Sequence, residues 1–183
     1  MVAAVLLAAG SGTRFEGEVH KLLAPLGEST VLEHALDAVR GSGLEVFVVT
    51  GAVDLDGFLP AGVTEVPNPD WHLGQATSVH AGIAAAAEAG HDAVVVGLAD
   101  QPFVTSDAWT AVAEADGIIA VATYHGERGN PVKLHESIWD QLPVRGDEVG
   151  RALMRGRPDL VLPIPCAGAA SDIDTLEDLH RWT

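Results

Sequence analysis

The chain has 183 residues, 48 % hydrophobic and 20 % charged, and its 10 Lys+Arg against 26 Asp+Glu give a formal charge of −16. A chain of this length suits one domain and buries roughly 70 % of its unfolded surface, so a folded core is expected and disorder is excluded. The acidity excludes a nucleic-acid groove or an anionic membrane surface as main partner, because both demand clustered Lys/Arg. A nucleotide stays compatible, since one or two local cations and backbone amides hold a phosphate. Cys166 is the lone cysteine. It allows no intrachain disulfide and no thiolate zinc cluster, which suits a reducing cytoplasm. The apolar stretches 2–9 and 81–89 are too short to span a bilayer, and the first has no basic flank. A soluble cytoplasmic protein is expected.

Residues 2–9 (VAAVLLAA) run into a glycine loop, the pattern of a strand buried on both faces. Between Ser29 and Val39 the apolar residues Val31, Leu32, Ala35, Leu36 and Val39 recur at helical spacing, with Ser29 or Thr30 as the cap. Glu45–Thr50 reads as a second strand and Val63–Val66 as a shorter third. Gln75–Ala89 reads as a helix carrying Ser78 and Gly82, stopped by Gly90. Asp92–Ala99 is the clearest buried strand. Thr105–Glu114 reads as a helix, Gly117–Thr123 as a strand, and Gly126–Pro131 as an excursion beyond the main sheet. Trp139–Leu142, Glu148–Met154 and Leu176–Trp182 look helical, with Leu160–Ile164 a strand between the last two. Apolar strands interleaved with helices predict a mostly parallel α/β sheet covered on both faces, in one domain spanning residues 1–183.

Ligands in such sheets bind beyond the carboxyl ends of the strands, where the topology reverses. After the first strand come Gly10-Ser11-Gly12-Thr13-Arg14 and then Lys21. Two glycines among hydroxyl residues let amides converge on an anion, and Arg14 and Lys21 bring positive charge that is scarce elsewhere. A tight turn with solvated cations is the plain alternative. The P-loop pattern is absent, and Phe15 stands where a dinucleotide fingerprint needs its third glycine. Asp100 follows the strong middle strand. A carboxylate facing a phosphate loop calls for a cation between them, and Mg²⁺, which takes one or two carboxylates plus phosphate oxygens, fits. An Asp turn before Pro102 competes with that reading.

Asp172 and Asp174 stand just before the last helix. Either can cap it, which leaves the other as a second metal ligand. Trp71 precedes the Gly74-Gln75-Ala76-Thr77-Ser78 helix entrance, whose hydroxyls serve either a phosphate or the helix itself. His34, His80 and His180 read as surface or partly buried helix residues, whereas His20 is placed beside Lys21 to touch a ligand. No metal spacing of the His-Glu-x-x-His kind and no Ser-His-Asp arrangement is present.

Taken in order, these segments resemble the MobA-like nucleotidyltransferases, which include the molybdenum-cofactor guanylyl- and cytidylyltransferases. Leu7-Ala8-Ala9-Gly10-Ser11-Gly12-Thr13-Arg14 with Lys21-Leu22-Leu23 resembles the family's opening signature. Gly74 to Gly82, Leu98-Ala99-Asp100-Gln101-Pro102, Gly129-Asn130-Pro131, Gly146-Asp147 and Asp172-Ile173-Asp174-Thr175 resemble its later landmarks. The stretch from Phe15 to His20 is longer and more acidic than the family's usual loop. The resemblance implies a Rossmann-like three-layer α/β/α sandwich of the nucleotide-diphospho-sugar transferase kind.

It also implies an acceptor phosphate attacking the α-phosphorus of an NTP, with pyrophosphate released. Arg14, Lys21 and Asp100 would then be catalytic, and Leu7, Ala8, Ala9, Gly10, Ser11, Gly12, Thr13, Gly74 and Ser78 would bind the nucleotide. Asp100, Asp172 and Asp174 are the expected Mg²⁺ ligands. Ala9 leans towards CTP and a molybdopterin acceptor, with a molybdoenzyme as the recipient of the product. Two other functions fit the same residues: an oxidoreductase using NAD(P), because Gly10-x-Gly12 follows a strand, and a non-catalytic nucleotide-binding chaperone that hands a cofactor to a partner.

Overall fold

The apolar run after Met1 forms the strand on which the rest of the molecule is hung. A computed structural model describes residues 1–17 and 19–181. In it β1 (Val2–Leu7) pairs in parallel with β4 (Glu45–Thr50) on one side and β6 (Ala93–Leu98) on the other, so that Val5 lies between Phe47 and Val96. Both faces are covered. Ala4, Leu6 and Ala8 point into a core shared with α1 (Val31–Gly41) and α3 (Ser106–Glu114), and Ala3, Val5, Leu7 and Ala9 into one shared with α2 (Gln75–Glu88) and α4 (Val149–Gly156). This explains why the strand has no polar alternation.

The sheet has seven strands in the order β5-β4-β1-β6-β8-β7-β9, where β5 is Val63–Pro67, β7 Ile119–Tyr124, β8 Glu127–His135 and β9 Val161–Pro165. From β1 the chain runs outward to β4 and β5, then returns to β6 on the opposite side of β1. The reversal therefore falls beyond the carboxyl ends of β1 and β6, where a crevice opens. The result is a Rossmann-like three-layer sandwich with a mostly parallel sheet. No helix of the described residues is long and apolar enough to cross a membrane.

Two features depart from the sequence reading. Residues 127–131 of the expected Gly126–Pro131 excursion instead open β8, a nine-residue strand antiparallel to both neighbours. Its Gly129 and Pro131 argue against a central strand. The fold accommodates them because the β6 ladder stops at Val132 and the β7 ladder skips from Val132 to Arg128. The turn into β8 is a two-residue loop, His125-Gly126, with positive φ at both residues, the geometry that suits the twist of paired strands. A small hairpin of β2 (Pro25–Leu26) and β3 (Ser29–Thr30) was also hidden in the sequence. Trp139–Leu142 belongs to a 3₁₀ segment, Glu136–Gln141. The final helix, α5, runs over Leu176–His180, and Trp182, expected at its end, lies outside the described residues, as does Glu18 of the acidic loop.

Both outer strands carry proline. Cys166 donates its N–H to Thr123 of β7, so alternation turns the nitrogens of Pro163 and Pro165 away from the sheet. Pro67 is turned outward in the same way, since Asn68 donates to Thr50.

Helix α2 lies close beneath the crevice because Gly82 has no side chain. A Cβ there would come 2.3 Å from Val5 Cγ1 and 3.2 Å from Val49 Cγ2. Gly82→Ala gains about 1 kcal/mol of helix propensity. Overpacking against two stiff, buried valines costs about 1–3 kcal/mol and should win. Urea unfolding is expected to show a net loss, and Gly82→Ala with Val5→Ala should lose less than the two single losses added. A Gly82→Ala protein more stable than wild type would refute this packing.

Candidate active site

Three segments end at the crevice. The loop after β1 turns at Gly12, which sits at φ +61° and faces His20 so closely that a Cβ would meet its ring nitrogen at 3.0 Å. Both constraints demand glycine. His20 joins this loop to the 3₁₀ turn Lys21–Leu23: its Nδ1 accepts from the Leu22 amide at 3.3 Å, and its Nε2 donates to the Gly10 carbonyl at 3.1 Å. Burial pulls its pKa below the ordinary value, which favours the neutral ring this pattern needs. His20 is thus a brace for the loop. Among the described residues, no protein acceptor takes the amides of Gly10, Ser11, Gly12 or Thr13. These four residues line a cavity of about 550 Å³.

Beyond β6, Asp100 reaches the same cavity. The third segment is pinned by Ile173, fully buried, whose amide donates to the Asp100 carbonyl at 2.8 Å. Neither Asp172 nor Asp174 caps α5. Thr175 does so, in a reciprocal box with Asp178, which corrects the expectation that one of the two aspartates serves as cap. Both carboxylates are therefore free for other work.

They part company. Asp174 turns into the first cavity, where Lys21 Nζ donates to Asp174 Oδ1 at 2.9 Å and to Asp100 Oδ2 at 2.5 Å. Arg14 reaches the other oxygen of Asp174 at 2.9 Å. Burial alone would lower the pKa of Lys21, whose side chain is 10 % exposed, but the charge and hydrogen bonds of Asp100, then Asp174, outweigh it and hold the ammonium above the ordinary value. Arg14 is 76 % exposed and stands at the mouth.

Asp172 instead accepts from Gln101 Nε2 at 2.7 Å and lines a second cavity of about 650 Å³. Gln101 is buried and is held in turn by Asn130, whose Nδ2 donates to its side-chain oxygen at 3.1 Å. Loss of hydration around the carboxyl, with Asp100 and Asp174 nearby, pushes Asp172 above the usual carboxylate range although the residue as a whole is exposed. The expected triad of metal-ligating aspartates does not converge: no group of three His, Cys, Asp or Glu placed to hold a metal occurs among the described residues. Gln101 draws Asp172 aside, and Lys21 fills the space between the other two.

Asp100 and Asp174 still have the chemistry for a hard divalent ion. Mg²⁺ often uses only one or two carboxylates and takes substrate phosphates and water for the rest. Asp100 Oδ1 is buried with no hydrogen-bond partner, an orphaned acceptor of the kind a cation would satisfy. The pair fits the group.

Leu7, Ala8, Ala9, Gly10, Ser11, Gly12, Thr13, Arg14, Lys21, Gly74, Ser78, Asp100 and Asp174 all line the first cavity. The α2 entrance is not an open anion site, however. Gly146 O takes the Ala76 amide at 2.9 Å and Asp147 Oδ1 the Gln75 amide at 3.0 Å. Gly74, at φ +109°, allows this because a Cβ would collide with the Gly146 backbone. Ser78 accepts from Asn68, a buried residue that the sequence reading passed over. His34 and His80 contact the backbone carbonyls of Leu26 and Pro143, in keeping with structural roles. The second cavity was also missed. Arg128, Arg151 and Arg155 line it, three of the chain's 10 basic residues, a clustering that scarcity of charge makes visible in hindsight.

Residues 4–161 match the model of the MobA-like NTP transferase domain. The chain belongs to that family. Nicotine blue oxidoreductase of Paenarthrobacter nicotinovorans is 33 % identical, over 98 % of this chain and 95 % of that protein. The bifunctional protein GlmU of Rhizorhabdus wittichii is 38 % identical over 57 % of this chain, a match that takes in 24 % of its own length. Among solved structures, a nucleotidyl transferase from Methanothermobacter thermautotroptrophicus superposes with a TM-score of 0.82 at 26 % identity, covering 99 % of this chain and 95 % of that one. A Mycobacterium tuberculosis protein solved in complex with manganese shares the fold, with a TM-score of 0.73 at 23 % identity over 99 % and 97 % of the two chains. The fold is that of the nucleotide-diphospho-sugar transferases, and membership of the MobA-like family supports nucleotidyl transfer as the class of activity.

Lys21→Met should cost about 1–3 kcal/mol at neutral pH, less than for a fully buried pair because the two aspartates are about one-fifth exposed. A lysine raised above its unfolded value stabilises fully below that value, 10.5, and ceases to as pH climbs through the folded one. Urea unfolding should therefore show a constant gap between wild type and Lys21→Met from neutral pH to about 10, closing at higher pH. A gap unchanged in strong alkali would contradict the pairing.

Proposed function

We propose that this chain is a Mg²⁺-dependent nucleotidyltransferase that moves NMP from an NTP, CTP favoured, to a phosphate-bearing acceptor such as molybdopterin. The observation that carries this is the convergence of the unpaired Gly10–Thr13 amides, Arg14, Lys21, Asp100 and Asp174 on one cavity. An acceptor phosphate oxygen forms a bond to the α-phosphorus, the bond from that phosphorus to the β-phosphate oxygen breaks, and pyrophosphate departs. The loop amides and Arg14 hold the triphosphate, and Lys21 offsets its charge. Asp100 and Asp174 would hold the metal ion, which when bound supplies Lewis-acid neutralisation of the phosphate oxygens. Positioning and charge provide most of the acceleration, because such a transfer needs little covalent help from the protein.

The acceptor belongs in the second cavity, which shares Gln75, Leu98 and Asp147 with the first. Arg128 in its lining suits an anionic acceptor, while Arg151 and Arg155 are paired with Glu148. Ala9 favours CTP on the strength of the family resemblance. One domain over residues 1–183, a cytoplasmic setting and delivery of the product to a molybdoenzyme belong to the same reading. The third reading, a chaperone without catalysis, differs in predicting nucleotide binding with no release of pyrophosphate.

One observation favours a second reading. The relative matched over nearly its whole length is named an oxidoreductase. Against a nicotinamide site stands Phe15, in place of the third glycine that lets a helix approach a dinucleotide pyrophosphate.

Pyrophosphate release should be measured with each NTP, Mg²⁺ and phosphate acceptors, beside fluorescence titrations with NADH and NADPH. Release with CTP is expected, and Asp100→Asn and Arg14→Ala should each lower kcat at least about a hundredfold while staying folded. Arg128→Ala should raise KM for the acceptor about tenfold and leave KM for the nucleotide unchanged. Tight NADPH binding with no release from any NTP would overturn the transferase in favour of the oxidoreductase.

A further inference from the structure

Four charged side chains meet in the first cavity and cancel one another: Lys21 and Arg14 against Asp100 and Asp174. Three of the four carboxylate oxygens are taken by these cations. Lys21 holds Asp100 Oδ2 and Asp174 Oδ1, and Arg14 holds Asp174 Oδ2. The fourth, Asp100 Oδ1, is buried without a partner. The lysine ammonium therefore stands between the two carboxylates, in the space that a cation bridging them would need.

A triphosphate settling on the loop changes this balance. Arg14 and Lys21 are the Lys/Arg side chains that line the cavity, so they are the charges the phosphates would draw. Each cation that turns to phosphate uncovers carboxylate oxygen. When both have turned, Asp100 and Asp174 are left with two negative charges, the charge of one divalent ion. Before that, an ion approaching the aspartates meets a buried ammonium a few ångströms away, and like charges at that range repel strongly where water is scarce.

We propose that Lys21 is a resident counter-ion that closes the divalent-cation position until a nucleotide arrives, so that metal and nucleotide enter together. This rests on the nucleotidyltransferase reading above and adds an order of events to it. Lys21 then has two stations, on the carboxylates in the empty protein and on the phosphates in the loaded one. Arg14, exposed at the mouth, can turn without cost to the core.

The test is a titration of the full chain with Mn²⁺ alone, free Mn²⁺ being read by electron paramagnetic resonance. Without nucleotide, Lys21→Met is expected to bind Mn²⁺ at least about tenfold more tightly than wild type, and adding Asp174→Asn should remove the gain. With a non-hydrolysable NTP analogue present, wild type should take up Mn²⁺ beyond what the analogue binds in a protein-free control. Equal Mn²⁺ affinity of wild type and Lys21→Met would overturn the proposal. If Lys21→Met folds only with Mn²⁺ present, that dependence supports it. If it folds in neither condition, Lys21→Gln, which keeps N–H donors between the carboxylates, is expected to show the same gain, and no gain there overturns the proposal. Pyrophosphate release by wild type separates the two claims. Tighter Mn²⁺ binding by the variant without release upholds the counter-ion and overturns the transfer reaction, and release without tighter binding does the reverse.

Discussion

A chain with a formal charge of −16 can admit a polyphosphate only where its own field is locally cancelled. Lys21 and Arg14, ion-paired with Asp100 and Asp174, bring two of the chain's 10 basic residues together at one end of β1. The two cations are not equivalent. Lys21 is sunk into the wall with its charge fixed by geometry, whereas Arg14 stands in solvent with one partner. A buried charge of this kind gives direction to the site, and an exposed one gives reach.

Backbone contacts of residues with no chemistry of their own do most of the positioning. Ala99 donates to Leu7, tying the end of β6 to the end of β1, and Ile173 donates to Asp100, tying the last segment to β6. Ile173 is fully buried, so the aspartates on either side of it are fixed relative to the sheet and diverge into separate cavities. Gln101, directly after Asp100, supports the second of these through Asp172 and Asn130. One strand end thereby serves two compartments that share a wall.

Strands with continuous apolar runs, such as Val2–Leu7 and Ala93–Leu98, were plain in the sequence because they are short, valine-rich and, for the first, followed closely by a glycine loop. The glycine loop after β1 stood out in the sequence for an electrostatic reason: cations are scarce, and two of them follow its paired glycines. β8 was not legible, since Gly129 and Pro131 mimic a loop and only the skipped ladder opposite Val121–Thr123 makes room for them. Nor could sequence separate Asp172 from Asp174. That distinction depends on Gln101 and on Thr175 with Asp178, which cap α5 and release both aspartates. The second cavity draws on β8, α4 and the segment before α5, so its arginines come together only in three dimensions.

The prolines on the two outer strands have a bearing on how this molecule meets its neighbours. At Pro163, Pro165 and Pro67 the rim of the sheet offers no hydrogen to a passing backbone, which hinders strand-by-strand pairing along most of β9 and at the end of β5. In a sheet so strongly apolar, each such proline removes one donor from an edge where unwanted pairing would begin.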